Sequence, residues 1–212
     1  MIITYQGLEF FKIQLGDITI AYNPISKDSK HKGVRFGADV ALVSLNHPDM
    51  NGVENVGHGG KTPFAISGAG EYEIKGIFIK GFSSVSHYGG EERLNTIYTV
   101  VLEGMNLCFL GALDVKELSA EVKAALDDVD VLFVPIGGEG VLAAANAYQL
   151  AVKLEPKIII PMHFGEVGNP QALKLFLKEG GEESAEKLDK LTLKKKDLEG
   201  KEGDVVVLQA QN

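Results

Sequence analysis

Three stretches constrain this chain's fold more than any others: DVALVS (39–44), VDVLFVP (129–135) and KIIIP (157–161). Each is short, β-branched and almost wholly apolar, and each runs directly into a polar or glycine-rich turn. A strand of that composition is expected to be covered on both faces, so other elements must pack on either side of its sheet. The turn after the first holds His47 and Asp49, and the turn after the last holds His163. A fourth run, Ile77 to Phe82, heads towards His87 in the same way. In open α/β sheets, ligands bind beyond the ends of such strands.

The other elements fall around these. Met1 to Tyr5, Glu9 to Gln14 and Ile18 to Tyr22 read as strands, punctuated by Gly7 and by Gly16-Asp17. Gly68 to Phe82 alternates and reads as a hairpin. Asn95 to Leu102 and Asn106 to Leu110 form a second pair with Glu103-Gly104 at its turn. Ser119 is a fitting helix N-cap, with Val122, Ala125 and Leu126 on one apolar face. An alanine-rich helix is expected over about Gly140 to Leu154, and another from Asn169-Pro170 to Glu179. Glu182 to Lys196 reads as a charged surface, and Asp204 to Gln209 as a last strand. Strands dominate early and alternate with helices later, without a linker or repeat, so one domain over 1–212 is expected.

Composition narrows the classes. The hydrophobic content of 45% supports a sizeable core, and the net charge of −8 argues against a general nucleic-acid binder. Small anionic ligands remain open, because they need only a local basic patch. The single cysteine, Cys108, allows no intrachain disulfide and lies among apolar residues, as a core position would. The first residues lack the basic start and apolar stretch of a signal peptide, and no apolar run approaches a membrane span. A soluble, cytoplasmic protein without membrane or nucleic-acid partners is the expectation; the oligomeric state is open.

Imidazole nitrogen and carboxylate oxygen are both good zinc or iron ligands, so His47-x-Asp49 and His163 are candidate metal-binding residues. Taken alone, the pair is more often a polar turn and nothing more, with Asp49 capping the backbone. His58 and His87 lie in loops whose path the sequence does not fix, and could supplement the set. SHYGGEER (86–93) mixes groups that suit a polar substrate, and IGGEG (136–140) precedes a helix but lacks the lysine and serine of a phosphate loop.

Several stretches together resemble the metallo-β-lactamase superfamily, in particular its small hydrolase-like branch of the L-ascorbate-6-phosphate lactonase type. They are the opening MIITYQGLEFFKIQLGDITIAYNP (1–24), ADVALVSLNHPDMNGV (38–53), GAGEYEIKGIFIKGF (68–82), RLNTIYTVVLEGMNLCFLGAL (93–113) and the run 128–165, which ends in Pro-Met-His. The resemblance implies a four-layer αββα sandwich with a cleft between 45–52, 83–92 and 162–169. It also implies a metal-dependent hydrolase whose full pattern has five histidines and two aspartates as ligands. This chain keeps His47, Asp49 and His163 and replaces the rest with Leu45, Met50, Phe109 and Ala112. Leu8 and Asn23 stand at the family's Gly-His and Asp-Pro positions.

Two functions from different classes follow. In one, His47, Asp49 and His163 hold a single zinc, iron or manganese ion, Asp49 serves the chemistry, and an ester, lactone or phosphoester is hydrolysed. In the other, the chain is a pseudoenzyme whose cleft binds a small molecule or protein partner without metal.

Overall fold

The computed structural model describes residues 1–211. Strands β1 (Ile2–Tyr5), β2 (Phe11–Leu15) and β3 (Ile18–Tyr22) pair antiparallel in sequence. Strands β4 (Val40–Leu42) and β5 (Phe64–Ile66) extend this sheet in parallel beyond β3. A second sheet begins with the antiparallel run β6 (Gly70–Ile74), β7 (Ile77–Ser86), β8 (Arg93–Leu102) and β9 (Met105–Phe109). Lys75-Gly76 and Glu103-Gly104 make its two tight turns with positive φ at both residues, which matches the twist of a two-residue hairpin.

Helix α1 (Ala120–Ala125) starts at Ser119, whose hydroxyl accepts from the Val122 amide. It leads into β10 (Val131–Pro135), α2 (Ala144–Lys153), β11 (Ile158–Met162) and α3 (Ala172–Glu179). β10 and β11 join the second sheet in parallel beside β9. The tail adds two-residue strands: β12 (Lys187–Leu188), β13 (Leu191–Thr192), β14 (Asp204–Val205) and β15 (Val207–Leu208). β13 edges the first sheet, β14 edges the second, and β12 pairs with β15.

Alternation along the strands assigns each face. Ile20, Tyr22, Val40 and Leu42 point inward to meet Tyr98, Val100, Phe109, Phe133 and Ile160 of the opposite sheet. The outward residues of the second sheet, among them Cys108, Leu132, Val134 and Ile159, are covered by α1, α2 and α3 through Val122, Ala147, Leu150, Ala151 and Phe176. Two sheets packed face to face are the sandwich that the resemblance implies. On the outer face of the first sheet, Ala21 and Ala41 are covered by Ile25, Val34, Phe36 and Val56 instead of an α-helix. Small outward residues let the 24–38 segment and a 3-10 turn at Val53–Val56 lie flat there.

Several expected boundaries move for local reasons. The alanine-rich helix begins at Ala144, later than Gly140, because Gly138, Glu139 and Gly140 all adopt positive φ. The last expected strand is split between two sheets. Strand β4 is shorter than 39–44, because the Ser44 amide donates to the Asn23 side chain. No helix among the described residues is long and apolar enough to cross a membrane.

Candidate functional site

The ends of the two sheets nearest β4 and β11 frame a cavity of about 670 Å³. His47, Pro48 and Asp49 form one wall, Tyr88, Gly89 and Gly90 a second, and His163 with Glu166 to Gly168 a third. Asp28 to Lys30 and Glu139 complete it, two segments that sequence reasoning did not bring to the cleft. The three residues retained from the ligand pattern therefore share one cavity.

His47 Nδ1 lies 3.6 Å from Asp49 Oδ2, but the three are not arranged as a metal-holding group. The Tyr88 ring packs edge-to-face on both imidazoles, with its centroid 4.9 Å from that of His47 and 5.0 Å from that of His163. Its hydroxyl donates to Asp49 Oδ2 at 2.7 Å, while Ser29 Oγ donates to Oδ1 at 2.5 Å. Both carboxylate oxygens of Asp49 thus already accept hydrogen bonds. Burial pushes the Asp49 carboxyl up, but the Ser29 and Tyr88 hydroxyls and His47 outweigh it and hold the carboxyl below the usual range. Burial and the adjacent carboxylate raise Tyr88, which keeps its phenol a donor.

His47 is the more exposed imidazole. Its Nδ1 accepts from the Asp49 amide at 3.2 Å, so the ring proton of the neutral form sits on Nε2. Desolvation lowers its pKa, Asp49 opposes this, and Arg93 and Lys30 add to the lowering. The ring is therefore neutral near pH 7.

His163 is fully buried and sits at φ 60. Its amide donates to the Leu8 carbonyl at 2.6 Å, and its Nδ1 lies 2.8 Å from Glu9 Oε1. Gly137 packs against it so closely that an added Cβ would lie 2.3 Å from the His163 carbonyl oxygen and 2.8 Å from its ring. The Asn23 amide nitrogen donates to Glu9 Oε2 at 2.8 Å and to Ser44 Oγ at 2.7 Å. A buried polar chain thus runs from His163 through Glu9 and Asn23 to Ser44. Glu9 is the functional-site residue the sequence reading missed; its signal was a lone carboxylate inside the apolar run GLEFF. Within this otherwise satisfied chain, His163 Nε2 has no hydrogen-bond partner.

Apolar packing takes up the replaced positions. Leu45, Met50, Ala112 and Val141 form a buried cluster of their own, with Tyr88 against it. Phe109 turns into the core between the sheets, where it stacks on Tyr22 at 4.6 Å. His87 pairs with Asp114 at 2.6 Å, and His58 is exposed, so neither lines the cavity. Among the described residues, no group of three or more His, Cys, Asp or Glu side chains is arranged to hold a metal ion. The residues present therefore do not fit a bound metal in this arrangement. Cys108 is buried and its thiol is pushed up by burial, as an inert core residue requires.

Comparison with known proteins gives the same fold. Residues 2–163 match the family model described as the beta-lactamase superfamily domain. A proposed Zn-dependent hydrolase of the metallo-β-lactamase superfamily from Thermotoga maritima shares 28% identity at a TM-score of 0.76, covering 98% of this chain and 97% of that one. A metallo hydrolase from the archaeon Ignicoccus hospitalis matches at TM-score 0.65 and 18% identity, over 100% of this chain and 96% of its own. A proposed metal-dependent hydrolase from Parabacteroides distasonis matches at the same TM-score and identity, over 98% and 93%.

Proposed function

The chain belongs to the beta-lactamase superfamily domain family, and within it we propose a non-catalytic member whose cleft binds a small polar ligand or a protein partner without a bound metal. One observation carries this reading. The side chains at three replaced ligand positions, Leu45, Met50 and Ala112, pack against one another and against Tyr88. An unpaired dication beside such a surface is strongly disfavoured. A catalytic zinc commonly has three protein ligands and an open position for water; Asp49 already holds two hydroxyls, and the Tyr88 ring packs edge-to-face on both imidazoles. The cavity remains open on the solvent side of Tyr88 and is rimmed by Asp28, Lys30, Glu139 and Glu166, which suits a polar occupant.

Metal-dependent hydrolysis, the activity proposed for the Thermotoga relative, is the second reading. His163 favours it: its Nδ1 rests on a carboxylate while its Nε2 is buried and unpartnered, as in a metal-ligating histidine oriented by a carboxylate. Elemental analysis of protein purified without chelator separates the two. Protein without stoichiometric metal that hydrolyses no ester, lactone or phosphoester supports the binding reading. About one zinc, iron or manganese per chain, lost in His163→Ala, overturns it.

A further inference from the structure

We infer that the cleft takes a primary alkylammonium, whose charge is drawn to the carboxylates of the rim and one of whose N–H groups is accepted by His163 Nε2. The inference rests on the metal-free binding reading and names its ligand class. Among the described residues that line the cavity, Lys30 is the one lysine or arginine, against the four carboxylates of Asp28, Asp49, Glu139 and Glu166. That ratio exceeds the chain's own 29 acidic to 21 basic residues. Asp49 is already taken up by the Ser29 and Tyr88 hydroxyls. Among the described residues Asp28 and Glu139 have no ion-pair partner, and Glu166 has His31 Nδ1 at 3.8 Å. A concave wall of one sign concentrates ligands of the other.

His163 points to the same ligand independently. It is fully buried, it lines the same cavity, and its Nε2 has no partner. With Nδ1 turned to Glu9, the ring proton of the neutral form sits on Nδ1, so Nε2 is an acceptor without a donor. An ionised carboxylate ligand brings only acceptors, whereas a primary ammonium brings three donors. Because an ammonium carries its own hydrogens, it uses acceptors spread along a wall and needs no converging set of metal ligands, which the described residues do not form. Glu139 is held in place for this role. It adopts φ 56 between Gly138 at φ 69 and Gly140 at φ 99, a conformation uncommon for a residue with a side chain. The Gly140 carbonyl accepts from the His87 amide and the Ser86 hydroxyl, both at 3.2 Å, which pins this loop to the Tyr88 wall.

The test is calorimetric titration at low salt, in the presence of EDTA, with putrescine, its neutral diol analogue and succinate. Nα-acetyl-lysine amide is added as a probe that separates a free amine from the lysine side chain of a protein partner. Putrescine is expected to bind about tenfold more tightly than the diol, and succinate not to bind. Glu139→Gln and Glu166→Gln, both at exposed positions, should each weaken putrescine about two- to fivefold, and Lys30→Gln should tighten it. Glu9→Gln/His163→Phe should weaken it about fivefold or more relative to Glu9→Gln. Acetyl-lysine amide that binds in place of putrescine supports the same chemistry and assigns it to a protein partner. Diol or succinate binding as tightly as putrescine overturns the inference. So does a Glu139→Gln/Glu166→Gln protein with wild-type affinity, or a wild type that takes up neither ammonium probe at millimolar concentration. The comparison of probes on the wild type decides where a variant does not fold. Metal content is read separately: stoichiometric metal overturns the metal-free reading, whereas a preference for the diol or succinate overturns the ligand class alone.

Discussion

His163 and Glu9 provide the sharpest energetic prediction. Both side chains are fully buried and 2.8 Å apart, and among the described residues Asn23 is the other side-chain donor to the Glu9 carboxylate. His163→Ala would leave that carboxylate in the interior with one neutral hydrogen bond. Breaking a buried pair by removing one partner costs about 3–5 kcal/mol. For a chain of this length each kcal/mol moves the melting midpoint by about 2–4 °C, so a fall of roughly 6–20 °C is expected. Glu9→Gln is gentler. Asn23 cannot flip, because its Oδ1 accepts from the Ser44 amide, so the new amide must present oxygen to Asn23 and NH₂ to His163. The hydrogen bond to His163 Nδ1 then loses its carboxylate partner, at a cost of about 1–2 kcal/mol. In the Glu9→Gln background, His163→Ala no longer strands a charge, so the double mutant should be more stable than the sum of the two losses predicts, by about 2 kcal/mol or more. The chain has no tryptophan, so urea unfolding is followed by far-UV circular dichroism. Additivity to within about 0.5 kcal/mol would refute the reasoning, because it would mean the two groups do not act as a pair.

Other outcomes follow from the same geometry. Burial pushes Asp39 up, but hydrogen bonds from Lys61, Lys75 and the Thr19 amide bring it down to about 2. Its folded value is depressed, so the stabilisation is present above the unfolded value near 3.9 and is lost as pH falls from about 4 to 2. Both lysines are substantially exposed, which discounts the effect to about 1–2 kcal/mol; Asp39→Asn should show that loss at pH 7 and converge on wild type by about pH 2 in urea titrations. Leu45→Ala, in the buried cluster against which Tyr88 packs, should cost about 2–5 kcal/mol by the same assay. Gly137→Ala would press a methyl group onto His163 and should destabilise the fold by more than about 1 kcal/mol, whereas Gly68→Ala meets open space at ordinary φ and should be within about 0.5 kcal/mol of wild type.

Most of the sandwich was legible in the sequence because its strands announce themselves twice, by apolar runs and by the residues that end them. Ile18–Tyr22 and Arg93–Leu102 emerge nearly as read, and Ser119 caps the helix assigned to it. What escaped was short or set by distant contacts. The two-residue strands at Lys187–Leu188 and Leu191–Thr192 have no periodicity to read, and only their partners Val207–Leu208 and Ile2–Ile3 define them. At the site, His47, Asp49 and His163 were legible as a set that reaches one cavity. That Tyr88 would contact all three was not, since SHYGGEER gives no sign of which side chain turns inward. Glu9 lies 154 positions from His163, and only the fold brings the two together.

The replacements make physical sense as a group. A cage that loses one ligand keeps buried carboxylates and imidazoles with nothing to neutralise or bond them, and each unpaired group costs about 1–3 kcal/mol. Here the apolar changes fall in both halves of the cage, and the surviving polar groups have other partners. Asp49 has two hydroxyls, His47 Nδ1 has an amide, and His163 Nδ1 has Glu9. The account closes except at one atom of the cleft, His163 Nε2. Its cost is removed by whatever supplies a partner. A ligand that enters beside Tyr88 and donates to that nitrogen would recover about 1–3 kcal/mol, worth roughly five- to 150-fold in affinity. Metal-free ligands that bind the cleft should therefore weaken by that factor in Glu9→Gln/His163→Phe relative to Glu9→Gln, a pair in which the loss of Nδ1 strands no carboxylate and the aromatic ring is kept. Equal affinity in both proteins would mean that the ligand never reaches past the tyrosine.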